Sequence, residues 1–177
     1  MSAELTGESA IDPEILEIFV EEVEEVVEDI DAQLPVWQQD PDNKDAALEI
    51  KRAFHTIKGG GRMVGAEVPA ELAWSIENLL DKIENGSVEY SAVVYEAVSR
   101  ARALMPELMK HYAGEGSADL AMVALVQNAA EGLARNEAVS FESAAPAEEV
   151  EAVAELVSEI EPETSEIEIT LPEPELI

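Results

Sequence analysis

Apolar residues recur every three or four positions through most of the first 135 residues, the period of a helix face turned toward a core. The first such line is Ile15, Phe19, Val23, Val26, Ile30, Leu34 and Trp37. Asp12 ahead of it can cap a helix, Pro13 suits the first helical position, and Asp40-Pro41 breaks the pattern. A long amphipathic helix is expected between them. Asp42 or Asn43 can cap a second helix, reaching to about Val64, whose buried line is Ile50, Phe54, Ile57, Gly61 and Val64. A third is expected from near Pro69, burying Leu72, Ile76, Leu79 and Ile83 and stopping at Asn85-Gly86. Ser91 offers a cap for a fourth, with Val94, Ala97, Ala101, Leu104, Leu108 and Tyr112 inward. Pro106 interrupts that line; lacking an N–H, it deletes a backbone bond and is expected to kink the helix. Gly114 and Gly116 end it. Ser117 is the expected cap of a fifth helix running to about Arg135, with Leu120, Val123, Ala124 and Leu133 inward. No alternating strand pattern competes. Short connections between amphipathic helices predict an all-α fold, an antiparallel helical bundle.

The pattern also divides the chain. Residues 1–11 read as a flexible leader and 12–136 as the bundle. Residues 137–177 read as a disordered acidic linker, because Ala, Glu, Ser and Pro dominate and no apolar line is sustained. Within it Val150, Val153, Leu156, Val157 and Ile160 are helically spaced, enough for a transient helix. The closing Pro174-Glu175-Leu176-Ile177 echoes Pro13-Glu14-Ile15-Leu16, either by coincidence or as the beginning of another similar module.

Charge narrows the partners. The 177 residues include 40 acidic and 10 basic ones, a formal net charge of -30. Nucleic acid and anionic membrane surfaces would be repelled along most of such a protein. There is no cysteine, hence no disulfide framework and no thiolate metal site, as suits the cytoplasm. Neither a signal peptide nor a membrane-spanning apolar run is apparent. The distribution matters more than the sum. Residues 14–31 hold nine acidic side chains and no basic one, and residues 137–177 hold thirteen and none. Yet Lys51, Arg52, Lys58 and Arg62, four of the ten cations, crowd around His55.

Lys51, His55, Lys58 and Arg62 step along the helix face opposite the buried line. Gly59, Gly60 and Gly61 follow at once. A glycine inside a helix costs roughly 1 kcal/mol relative to alanine, so three in a row indicate that something must come close. Gly59 bares the helix beside the imidazole, whereas Gly60 and Gly61 serve either that approach or close helix packing. The spacing Gly59-x-Gly61-x-x-x-Gly65 is neither the dinucleotide fingerprint nor a P-loop. His55 and the distant His111 do not make a metal ligand set, and His111, beside Lys110 in the last turn of its helix, reads as structural.

Two segments carry a resemblance. His55-x-x-Lys58-Gly59-Gly60, followed by Gly65-Ala66, resembles the signature of histidine phosphotransfer (HPt) domains. Trp74-Ser75-Ile76-Glu77-Asn78-Leu79-Leu80-Asp81 looks like the next helix of the HPt domain that begins CheA-type chemosensory kinases. The similarity spans about residues 12–135. It implies an HPt-like four-helix bundle plus an additional helix, with His55 taking a phosphoryl group from a kinase catalytic domain and passing it to a receiver-domain aspartate. It further implies that Glu77 hydrogen-bonds His55, and that Lys58 neutralises charge on the moving phosphoryl group. Gly59 and Gly60 would admit the partner, and Lys51 and Arg62 would either steer it or simply be solvated. No cofactor and no metal is implied. The implied partners are an ATP-binding catalytic domain, in the same parent chain or another, and a response-regulator receiver, with the isolated module a monomer in the cytoplasm. With no nucleotide motif, the chain would be the phosphocarrier part of a histidine kinase, similar to the multi-module kinases of type IV pilus motility. The alternative is a non-catalytic adaptor that docks receivers on the same fold. Trp74 departs from the family, which often has a second histidine there.

Overall fold

A computed structural model describes residues 12–141, and the leader expected at 1–11 and residues 142–177 of the expected linker lie outside it. Five helices follow in order: α1 (Pro13–Gln39), α2 (Lys44–Val64), α3 (Glu67–Glu84), α4 (Ala92–Tyr112) and α5 (Leu120–Ala134). No strand occurs among the described residues. α1 packs against α2 and α4, α2 against α3, and α3 and α4 against α5. The fold class is therefore the expected all-α bundle.

The helix ends follow from local chemistry. The Asp12 carboxylate accepts from the Glu14 N–H at 3.0 Å, and Pro13 occupies the first turn. Between the two candidates for α2, Asn43 is the cap, accepting from Ala46 at 3.1 Å. Gly65 closes α2 in the left-handed region at φ 80, which glycine adopts without a Cβ penalty. α3 starts two residues before Pro69, which a helix tolerates because first-turn N–H groups have no partner inside it. Ser91 caps α4 at Val94 N–H, and α4 continues past Pro106 as one element. α5 is capped by Asp119, not Ser117, through a 2.9 Å bond from the Met122 N–H.

Most of the expected core lines are buried, and the exceptions have geometric causes. On α1 the buried line is Phe19, Val23, Val27, Ile30, Leu34 and Trp37. Ile15 is exposed and Val26 only half-buried. Each four-residue step rotates a line by about 40°, so a line centred on Phe19, Val23 and Val27 carries Ile15 out of the interface. On α5, Leu120 and Ala124 face out, while Val123, Val126, Ala129, Ala130 and Leu133 face in. That helix packs on two neighbours through alanines, which a search for large apolar residues underweights. Full burial of side chains such as Ile30, Phe54, Ile57, Leu72 and Leu79 contributes roughly 1.5–3 kcal/mol each. Trp37, fully buried, meets Tyr90 edge-on with ring centroids 5.0 Å apart.

The chain past α5 stays on the bundle as far as it is described. Phe141 is buried, Val139 is partly buried, and the Arg100 guanidinium lies 4.6 Å over the Phe141 ring. The packed unit thus extends five residues beyond the boundary expected at 136.

The three consecutive glycines do different things. A Cβ on Gly59 would meet nothing within 4 Å. On Gly60 it would strike the Phe19 ring at 2.8 and 2.9 Å, and on Gly61 the Ala66 carbonyl oxygen at 3.0 Å. The last two let α1 and the start of α3 approach α2. Urea unfolding should therefore separate them: Gly59→Ala stabilises by up to about 1 kcal/mol through helix propensity. Gly60→Ala should destabilise by about 1–3 kcal/mol, because the Phe19 ring must leave its place in the core. Equal midpoints for the two variants would refute this division.

Candidate functional site

His55 lies in the middle of α2, two residues before the buried Ile57, so its ring leaves the bundle and its side chain is 65% exposed. Glu77 lies on α3 one position past the buried Ile76 and is only 13% exposed, in the seam between the two helices. The antiparallel pairing brings the two together. Glu77 Oε1 sits 2.7 Å from His55 Nδ1. Its Oε2 sits 2.5 Å from the ammonium of Lys58, one helical turn beyond the histidine. One carboxylate thus engages both candidate residues of α2.

The electrostatics follow from that sharing. Burial in the seam pushes the Glu77 carboxyl up, but the Lys58 ammonium and the contact with His55 outweigh it and hold the carboxyl below its ordinary value. Glu77 is accordingly ionised at neutral pH. An ionised carboxylate can only accept, so the nitrogen facing it must carry the proton. Nδ1–H then donates to Glu77, and the lone pair is left on Nε2, to which no described residue makes a hydrogen bond. Such an arrangement, a neutral imidazole with its tautomer set by a carboxylate behind it, suits a nucleophile.

The remaining cations are tied down along the same seam. Lys51 bridges to Asp81 at 3.0 Å and also to Glu84. Those two hydrogen bonds raise its pKa and keep it charged. Arg62 reaches Glu71 at 3.3 Å, and Arg52 reaches Glu49 on its own helix at 2.8 Å. Lys51 and Arg62 therefore act first as braces between α2 and α3. Such partly exposed pairs contribute about 0–1 kcal/mol each, and their value here is register. Gly59 leaves open space beside the imidazole, and Gly60 faces α1. His111, at the far end of α4, stacks edge-on to Tyr112.

One further residue of the outer face is not part of either motif. Met63 follows His55 and Gly59 at four-residue steps on the outer face of α2 and is 89% exposed. A large apolar side chain standing free on the line of the exposed histidine is visible in the helical spacing. By residue type alone a methionine is assigned to a core.

Known proteins resemble the chain in sequence and in fold. The family model described as the Hpt domain matches residues 14–136. The chemotaxis protein CheA of Treponema pallidum is 33% identical over 103 residues, covering 58% of this chain and 13% of that protein. CheA of Halobacterium salinarum is 34% identical over 97 residues, covering 52% of this chain and 14% of that protein. The chain thus spans about one seventh of these relatives. Among solved structures, the phosphorylated P1 domain of CheA3 from R. sphaeroides, in complex with CheY6, superposes with a TM-score of 0.62 at 18% identity. It covers 72% of this chain and 100% of that one, a likeness of fold.

Two measurements test the site's electrostatics. Nitrogen NMR of the imidazole should show the proton on Nδ1 at neutral pH in the native chain, and mixed tautomers in Glu77→Ala. The same mixture in both would remove Glu77 from its role. A carboxyl with a lowered folded pKa stabilises above its unfolded value and loses that contribution as pH falls through the folded one. The stability difference between the native chain and Glu77→Gln should therefore shrink as pH falls below the ordinary carboxyl value of 4.5.

Proposed function

The chain belongs to the Hpt domain family, and on that premise we propose that His55 is a phosphoacceptor that takes a phosphoryl group from a kinase catalytic domain and yields it to a receiver aspartate. The observation that carries the proposal is the 2.7 Å contact between Glu77 and Nδ1, beneath a ring whose other nitrogen is free. The Nε2 lone pair attacks phosphorus as the bond from phosphorus to the donor's leaving oxygen breaks, and that oxygen keeps the electron pair. Nδ1 keeps its proton, so positive charge develops on the ring as the N–P bond forms. Glu77, held ionised, stabilises that charge. In the second step a carboxylate oxygen of the receiver attacks phosphorus, the N–P bond breaks, and the ring leaves neutral with its proton still toward Glu77.

Lys58 is placed to follow the transferring group. Its ammonium contacts Glu77 at 2.5 Å on the same face as His55, and a rotation of its flexible stem brings it to phosphoryl oxygens. Gly59 gives a partner's active site room to descend, and Met63 offers an apolar contact on the same line. The donor domain is proposed from the CheA relatives, of which this chain matches only a part. The receiver partner is proposed from the solved CheA3 domain, whose structure includes CheY6. Placement in a kinase of type IV pilus motility, and in the cytoplasm, rests on the sequence resemblance. No described helix is long and apolar enough to cross a membrane.

Incubating the chain with a labelled CheA-type catalytic domain and ATP tests the proposal. Acid-labile label is expected on the native chain and none on His55→Gln. Glu77→Ala should slow labelling by about one to two orders of magnitude, the usual effect of removing a carboxylate behind a functional histidine. A folded chain that binds a receiver but takes no label from several donors would instead indicate an adaptor.

A further inference from the structure

On α1, Glu17, Glu21, Glu24 and Glu28 are spaced four, three and four residues apart, one continuous stripe along the helix. All four are exposed, and none has an ion-pair partner among the described residues. Beside the stripe runs an apolar line, Leu16, Val20, Val23 and Val27, that borders α4 at Pro106 and Met109. Two clefts open between the helices there, of about 480 Å³ and about 240 Å³, and they share Glu24, Pro106 and Met109. Together they form a groove that follows α1 from Pro13 to Glu28, about 22 Å at the rise of an α-helix. Its floor is apolar and one rim is a row of unneutralised carboxylates. Lys110 is the single cation along it.

This contrasts with the seam that holds His55. There Lys51, Arg52, Lys58 and Arg62 are matched to carboxylates, and three of the four matches, at Lys51, Lys58 and Arg62, brace α2 against α3. The stripe on α1 braces nothing. Four like charges on adjacent turns repel one another, and with Lys110 the single cation nearby and in no ion pair with them, cations from outside would relieve that repulsion.

We propose that the α1–α4 groove docks a cationic amphipathic helix of a partner protein, its apolar side chains on the floor and its Lys or Arg side chains along the glutamate rim. Neither the residues flanking the bundle in this sequence nor a second copy suits that role. Residues 1–11 and 136–177 contain no Lys or Arg, and a second copy would bring a net charge of -30. A nucleic acid or an anionic membrane is excluded by the same sign. The groove lies between α1 and α4, whereas His55 sits on the α2–α3 seam, so an occupant leaves the histidine open. Docking here is therefore separate from phosphoryl transfer and does not depend on the phosphoacceptor assignment.

The test uses the full chain and a fluorescent peptide of about 15 residues, matched to the groove length, with leucine and lysine on opposite helical faces. Anisotropy should show binding that weakens at least tenfold in the double variant Glu21→Lys/Glu24→Lys. It should weaken less than threefold in Glu67→Lys/Glu89→Lys, which changes net charge equally but lies away from the groove. A peptide of the same charge with serine in place of leucine should bind at least tenfold more weakly. Receiver binding or His55 labelling should be unchanged with the peptide bound. Equal losses in the two double variants, indifference to the leucines, or competition with a receiver would each overturn the proposal.

Discussion

The carboxylate of Glu77 is held by two partners on the facing helix, and that contact depends on the register between α2 and α3. A slide of one residue along either helix would turn its partner by about 100° and carry the imidazole away. What prevents the slide is apolar packing. Phe54 and Ile57 on α2 and Leu72, Ile76 and Leu79 on α3 are fully buried and interlock beneath the seam. Ion pairs from Lys51 and Arg62 bracket it at either end. The chemistry is thus positioned by a core that takes no part in it, and the rigid helices spare the site the entropy of ordering a loop.

The glycine run shows how a helix is thinned where it has to be approached from several sides. Gly60 admits the Phe19 ring of α1, Gly61 admits the turn into α3, and Gly59 admits nothing from this chain. The first two costs in helix propensity are offset by packing. The third is not offset within the described residues, which is the physical reason to connect Gly59 with a partner.

Charge is arranged in the same two ways. Around His55 the cations are neutralised pairwise, Lys51, Lys58 and Arg62 across the seam and Arg52 along its own helix, so the island of positive charge seen in the sequence is largely cancelled in space. Along α1, Glu17, Glu21, Glu24 and Glu28 stand in a row with no ion-pair partner among the described residues and create a field directed outward. One protein therefore presents a nearly balanced face where a phosphoryl group would arrive and a strongly acidic one elsewhere.

Much of this was legible in the linear chain because it is written in local rules. Helical spacing, the caps at Asp12, Asn43 and Ser91, and the stop at Asn85-Gly86 are decided within a turn or two, so the five helices and their order needed no tertiary information. His55, Lys58 and Glu77 were nominated by their motifs. The sequence could not show that Lys58 and His55 meet the same carboxylate, since that contact spans 22 residues and is set by the packing of two faces. Nor could it assign Gly60 to Phe19, turn Ile15, Leu120 and Ala124 outward, or bury Phe141 beneath Arg100. Each depends on where a neighbouring helix lies and how closely its small residues let it approach. Periodicity determines which residues share a face, and only the packed structure determines what that face meets.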